Sequence, residues 1–262
     1  MKNIIGNLRS ECIRLFSKST FIICIVLYIL ATIAILITEP FSDGLKYSCD
    51  GMLTYIVGLS NFQRVLILLA SLPMATSFCD DIADKYMDLI ILRSSTHTYI
   101  VSKIIICFLS SFAVSFIGMM IYSVYCSITN GVGIQLFNIK EGTVYYDCAN
   151  SSFPFLVIII KVFFFSMVSA VYAVWGMTFS SYVKGRFAAM VSTIFVNTIF
   201  EVVGRCIPKA LRLYSIQIGN SAYGMGTAGT IVMSVMVCLG FILIASLLFA
   251  YNVRRRVRNE VI

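Results

Sequence analysis

Six long apolar stretches, separated by shorter polar segments, set the pattern of this chain. They run from about Thr20 to Thr38, Ser60 to Cys79, Ile104 to Ile128, Phe153 to Phe179, Phe187 to Val203 and Ala228 to Val253. A helix needs about 20 mostly apolar residues to cross a hydrocarbon core of about 30 Å, and each stretch is close to that length. The strands of a membrane barrel would instead alternate apolar and polar residues in segments of about ten. The pattern therefore predicts an all-α membrane protein, a single transmembrane domain over residues 1–262 with six spans. Pro73 lies inside the second stretch, where its missing N–H predicts a kink.

Residues 1–19 read differently. Ile4, Ile5, Leu8, Cys12, Leu15 and Phe16 recur at helical spacing, with Lys2, Arg9, Arg14 and Lys18 elsewhere on the wheel. This predicts an amphipathic helix lying in the plane of the inner leaflet. A cleaved signal peptide is not expected, because polar and amphipathic residues precede the first apolar run and no small-residue cleavage site follows it.

Composition strengthens the membrane reading. Of the 262 residues, 59% are hydrophobic and 12% charged, against roughly 25% charged in a soluble domain. With a mean hydropathy of +0.92, the chain has too little polar surface to enclose such a core in water, which excludes the soluble enzyme classes.

Orientation follows from where the basic residues fall. With six spans both termini lie on one side, together with Lys2, Arg9, Arg14, Lys18, Lys85, Arg93, Lys103, Lys184, Arg186, Arg254, Arg255, Arg256 and Arg258. Those thirteen basic residues face six acids, a net +7. The opposite side has seven against six, a net +1, and the two give the +8 of the whole chain. The basic side is expected to be cytoplasmic, in contact with anionic lipid and not with nucleic acid.

Residues suited to catalysis are scarce. The single histidine, His97, excludes paired-histidine metal sites, and no GxSxG elbow, intramembrane acid pair or GxxxxGK[ST] P-loop occurs. Residues 224–229 match GxGxxG, but they lead into an apolar helix and not out of a strand, so no dinucleotide site is expected. Nine cysteines show no metal-type spacing. Cys49, Cys148 and Cys206 fall in outer segments, making Cys49 and Cys148 a candidate bridge. Asn150, Ser151 and Ser152 form an outer-side sequon.

The segment from Cys79 to Lys103 carries the most information. Asp80, Asp84 and Asp88 repeat at i, i+4 and i+8, so a helix here places three carboxylates on one face, with Asp81 and Lys85 spaced as a pair beside them. Like charges on one face repel, and they stand on the side where basic residues predominate. An acidic row there predicts a basic partner protein.

Together these features resemble the type 2 ABC exporter permeases. The matching residues are Glu11 and Arg14 in the amphipathic helix, then Asp80 and Asp81, a helix through Leu92, a turn from Arg93 to Thr96, and Tyr99 and Lys103 opening the third span. The chain departs from the family pattern in lacking a Gly soon after the acidic pair, in having Ser94 and Ser95 without Pro, and in carrying His97 where Arg is usual. The resemblance implies a transmembrane subunit without enzymatic activity of its own. It would be multi-pass in a bacterial cell membrane, pairing with a second permease subunit and with a cytoplasmic ABC ATPase that holds ATP and Mg. The segment with Asp80, Asp81, Asp84, Asp88, Arg93 and Lys103 would include the cytoplasmic coupling helix between spans two and three. The loop with Lys184 and Arg186 would form a second, smaller contact.

Charges within apolar runs complete the candidates. Arg64, Lys161 and Glu201 fall in the outer half, and two readings stand: a snorkelling Lys161 beside ordinary interfacial residues, or a cluster in which Glu201 pairs with Lys161 or Arg64 and shapes an exit. The resemblance also implies short external helices between Gly204 and Thr227. Phe163, Phe164, Phe165 and Trp175 are candidates for a substrate path or for packing. The function read from the sequence is export of an amphipathic substrate, peptide-like first and lipid or drug next. The alternative is a secondary transporter or channel without an ATPase, which usually needs a midplane acid or broken-helix repeats. A membrane enzyme is disfavoured by the lone histidine.

Overall fold

The computed structural model describes residues 2–17, 19–38, 49–58, 62–84, 87, 89, 95–130, 148, 155–182, 185–218, 223 and 226–260. Among these residues the chain is almost entirely helical, with short turns between helices and no strand. The helices are α1 (Lys2–Ser17), α2 (Thr20–Thr38), α3 (Cys49–Gly58), α4 (Gln63–Ala75), α5 (Ser77–Ala83), α6 (Thr96–Asn130), α7 (Phe155–Ser180), α8 (Arg186–Gly204), α9 (Leu213–Ile218) and α10 (Gly226–Glu260), with a 3₁₀ turn at Lys209–Leu211.

Five helical segments are long and apolar enough to cross a membrane: Gln63–Ile82, Thr96–Thr129, Phe155–Ser180, Arg186–Gly204 and Gly226–Arg258. The first expected span corresponds to α2, which reaches the same standard only together with α1, from which it is bent by 58°. The second expected span begins at Gln63 and is interrupted at Thr76, one turn beyond Pro73. The third helix begins eight residues earlier than its apolar run. Ser95 caps it by accepting a hydrogen bond from the Thr98 backbone N–H at 3.2 Å, satisfying a donor that the first turn otherwise leaves orphaned. The helix α3 falls outside the six expected apolar runs.

Helix α7 is the core of the bundle. It packs against α4, α6, α8, α9 and α10, and nearly all of its residues from Phe164 to Ser180 are buried. Where lipid replaces water, helices gain little from burying apolar surface against each other, so close approach and interhelical hydrogen bonds carry the association. Small residues supply both. The space a Cβ would need at Gly118 is taken by the Tyr28 ring of α2, and at Gly176 by Thr193 of α8. Ser192 donates to the Gly176 carbonyl at 2.9 Å and Thr178 to the Ala245 carbonyl at 3.2 Å, fastening α8 and α10 to α7. At the helix ends Asn252 donates to Ser181 Oγ at 2.8 Å.

The aromatic residues lie in these seams. Phe163 meets Phe112 edge-on at 5.7 Å, Trp175 meets Phe200 at 5.0 Å, and Phe164 and Phe165 are buried. These contacts pack α7 against α6 and α8. Helix α10 is the most peripheral span, with a broad apolar face that includes Val232, Met236, Leu243 and Leu247 left exposed.

Candidate functional site

At the end of the bundle where α1, α5 and the start of α6 meet, four charged side chains and a tyrosine form one network. Helix α5 places Asp81 on its inward face, fully buried. Lys103, one turn beyond Tyr99 on α6, points its ammonium to Asp81 Oδ2 at 2.6 Å and to Glu11 Oε2 of α1 at 3.0 Å. Arg14, one turn after Glu11, donates to Asp81 Oδ1, and its guanidinium lies 3.9 Å from Glu11 Oε1. The Tyr99 hydroxyl donates to Asp81 Oδ2 at 2.8 Å, and the Lys103 ammonium lies 5.8 Å from the Tyr99 ring centre.

Two carboxylates and two cations make the network formally neutral, which is what allows it to be buried: an isolated charge would cost several kcal/mol, and only dense pairing with further hydrogen bonds offsets that cost. Glu11 and Lys103 are almost wholly out of contact with solvent, while Arg14 keeps about a quarter of its side chain exposed. The network ties an amphipathic helix to two spans through contacts separated by up to 92 residues.

The short helix α5 is held on its other sides as well. Asp80, next to Asp81 but turned outward, pairs with Arg186 at the start of α8 at 2.8 Å. Phe78 meets Phe249 of α10 edge-on at 5.2 Å and lies under the Arg256 guanidinium at 5.9 Å. Three of the seven α5 side chains therefore connect it to α1 and α6, to α8 and to α10. Asp84 closes the helix and is exposed.

The acids expected to form one row are Asp80, Asp84 and Asp88, with Asp81 beside them. Asp81 is buried and has no surface to present to a partner. Asp80 is mostly covered by its pairing with Arg186, and Asp84 faces outward. Lys85, Asp88, Arg93 and Lys184 lie outside the described residues. The sequence pointed to Arg256 only as one of the basic residues that set orientation, and not to Phe78, since neither position stands out in a basic run or an apolar helix. His97 is exposed near the start of α6.

At the opposite end, Arg64 at the start of α4 donates to Glu201 Oε2 near the end of α8 at 2.8 Å, with both side chains partly exposed. Partial burial, and after it the Glu201 carboxylate, raises the nearby Tyr214 phenol above its ordinary range. Lys161 takes no part in that pair; it donates to Thr54 Oγ1 of α3 at 3.0 Å. Of the two expected partners for Glu201, the structure pairs it with Arg64. The segment after α8 folds into the 3₁₀ turn and α9, pinned by Arg212 donating to the carbonyls of Ile207 at 2.7 Å and Arg205 at 3.1 Å. Cys49 is buried, and its thiol donates to the Ser123 carbonyl at 3.4 Å; the structure records it and Cys148 as thiols, not as a bridge. The sequon at residues 150–152 lies outside the described residues.

Comparison with protein-family models, curated proteins and solved structures finds no match to this chain.

Proposed function

We propose that this chain is the permease subunit of an ATP-driven exporter, moving an amphipathic, peptide-like substrate out of the cell. The observation that supports it best is α5. A seven-residue helix at the end of the second span connects through Asp81, Asp80 and Phe78 to four other helices and ends in an exposed carboxylate, Asp84. An element with that connectivity passes a push at its free end to α1, α6, α8 and α10 together. In this reading α5 opens the coupling helix, and Asp84 and Asp88 meet a basic surface of a separate cytoplasmic ATPase, which holds ATP and Mg. Asp81, Lys103, Glu11 and Arg14 serve as the internal linkage, while Lys184 and Arg186 belong to a smaller contact beside it.

The same reading makes α2 a sixth span, joining the five long apolar helices. It lays α1 in the plane of the inner leaflet, with Ile5, Ile13 and Phe16 exposed to lipid and Glu11 and Leu15 turned into the bundle. Both termini are then cytoplasmic, the α5 end of the bundle is the inner end, and the broad apolar face of α10 is open to lipid or to a second permease subunit. In the assembled transporter, Asp84→Lys with Asp88→Lys should abolish substrate export while ATP hydrolysis and the amount of folded permease persist. Export that still follows ATP hydrolysis in the double reversal would remove the coupling role.

A further inference from the structure

The outer face of α10 changes character along its length. Met236, Leu243, Leu247 and Tyr251 follow one another at helical spacing, and all four are exposed. The same stripe continues into Arg254, Arg255 and Arg258, which are exposed as well. Where its apolar and basic parts meet, Leu247, Ala250, Tyr251 and the three arginines line a cleft of about 560 Å³. Among the described residues none of these arginines pairs with an acid, whereas Arg14 and Arg186 both do. Arg256, within the same basic run, turns away to the Phe78 ring.

These groups define the chemistry of an occupant. Three guanidiniums without acid partners favour an anion with several acceptor oxygens, which each planar fork engages two at a time. The apolar stripe asks for hydrocarbon on the same molecule. A free phosphate uses the arginines and leaves the stripe bare. A phosphatidylcholine covers the stripe but sets its own cation against the guanidiniums. An acidic protein surface meets the arginines and does not reach Leu243, which lies eleven residues, about 16 Å, before Arg254 along the helix. That distance is close to half of a hydrocarbon core of about 30 Å, the depth of one leaflet. A phospholipid with a net negative headgroup meets both demands, and Tyr251 stands at the junction, where amphipathic rings favour the headgroup level.

We infer that this cleft binds one anionic phospholipid, its phosphate held by Arg254, Arg255 and Arg258 and an acyl chain lying along Leu247 and Leu243. This is a site on one helix face, distinct from the diffuse attraction that any basic membrane surface has for anionic lipid. It does not depend on the exporter reading.

The test uses the full chain in dodecyl maltoside, titrated with palmitoyl-oleoyl phosphatidylglycerol or with the matching phosphatidylcholine, and counts retained lipid by native mass spectrometry. One phosphatidylglycerol per chain should be retained at a lipid concentration at least about ten times lower than phosphatidylcholine requires. Arg254→Gln with Arg255→Gln and Arg258→Gln should abolish that preference and leave the melting temperature, followed through Trp175, unchanged. Lys2→Gln with Arg9→Gln and Lys18→Gln removes the same charge from the N-terminal segment and should keep the preference. Leu243→Asn with Leu247→Asn keeps every charge and should weaken phosphatidylglycerol retention several-fold. Equal retention of the two lipids, or an equal loss of preference in both triple variants, overturns the site. Displacement of phosphatidylglycerol by glycerol 3-phosphate at equal concentration also overturns it, assigning the arginines to a soluble phosphate. So does a dimer that shows no lipid preference and is lost in the arginine variant, which assigns the face to a second copy of the chain. No ATPase or transport enters the measurement, so failure here leaves the exporter reading standing, and failure of that reading leaves a measured lipid preference intact.

Discussion

Lys103 Nζ lies 2.6 Å from Asp81 Oδ2, and neither side chain touches solvent. Glu11, in a helix that begins the chain, approaches the same ammonium to 3.0 Å. Removing one member of such a group costs more than the pair contributes, because the remaining charge stays buried without compensation. Lys103→Met should therefore destabilise the protein by about 3–5 kcal/mol, seen as a large fall in the melting temperature followed through the single tryptophan, Trp175. Adding Glu11→Gln restores neutrality and should recover a substantial part of the loss. Equal destabilisation by the single and double variants would mean that the charges are not energetically coupled.

Gly118 and Tyr28 make the second relationship. The ring of Tyr28 fills the space where any larger residue would place its Cβ. Gly118→Val should cost about 1–3 kcal/mol through overpacking of the α2–α6 seam. Combining it with Tyr28→Ala should cost less than the sum of the two single changes. Strict additivity in thermal unfolding would place the two residues apart.

Arg64 and Glu201 form the contrasting ion pair. Their side chains are 45% and 35% exposed, so water and salt screen the attraction, and such pairs contribute about 1 kcal/mol or less. Arg64→Gln and Glu201→Gln should leave stability nearly unchanged. A melting shift comparable to that of Lys103→Met would show that this end is far better shielded than its exposure indicates.

The helices were legible in the sequence wherever apolar character ran long enough to exceed a turn or a strand. The stretch Thr20–Thr38 coincides with α2, and α7, α8 and α10 contain or closely match their expected runs. Helix α3 was not, because CDGMLTYIVG is short and mixes two glycines and an aspartate with its apolar residues. The early start of α6 at Thr96 depends on a Ser95 cap, which hydropathy does not register. At the site, the identities were visible and the pairings were not. Glu11, Arg14, Asp81, Tyr99 and Lys103 were singled out, yet local spacing pointed Asp81 toward Lys85, four residues away. The structure pairs it with Lys103 and Arg14, where burial favours a carboxylate matched by dense pairing; Lys85 lies outside the described residues.

The proposed function rests on a motor supplied by another chain, and isolation of this protein from its native membrane tests that most directly. Gentle detergent extraction through a tag on this chain, followed by identification and quantification of what accompanies it, should yield a soluble P-loop ATPase in near-equal amount, with ATP hydrolysis that responds to substrate. Recovery of this chain without any ATPase, together with proton-driven uptake in vesicles free of ATP, would contradict the account and assign the bundle to a secondary transporter.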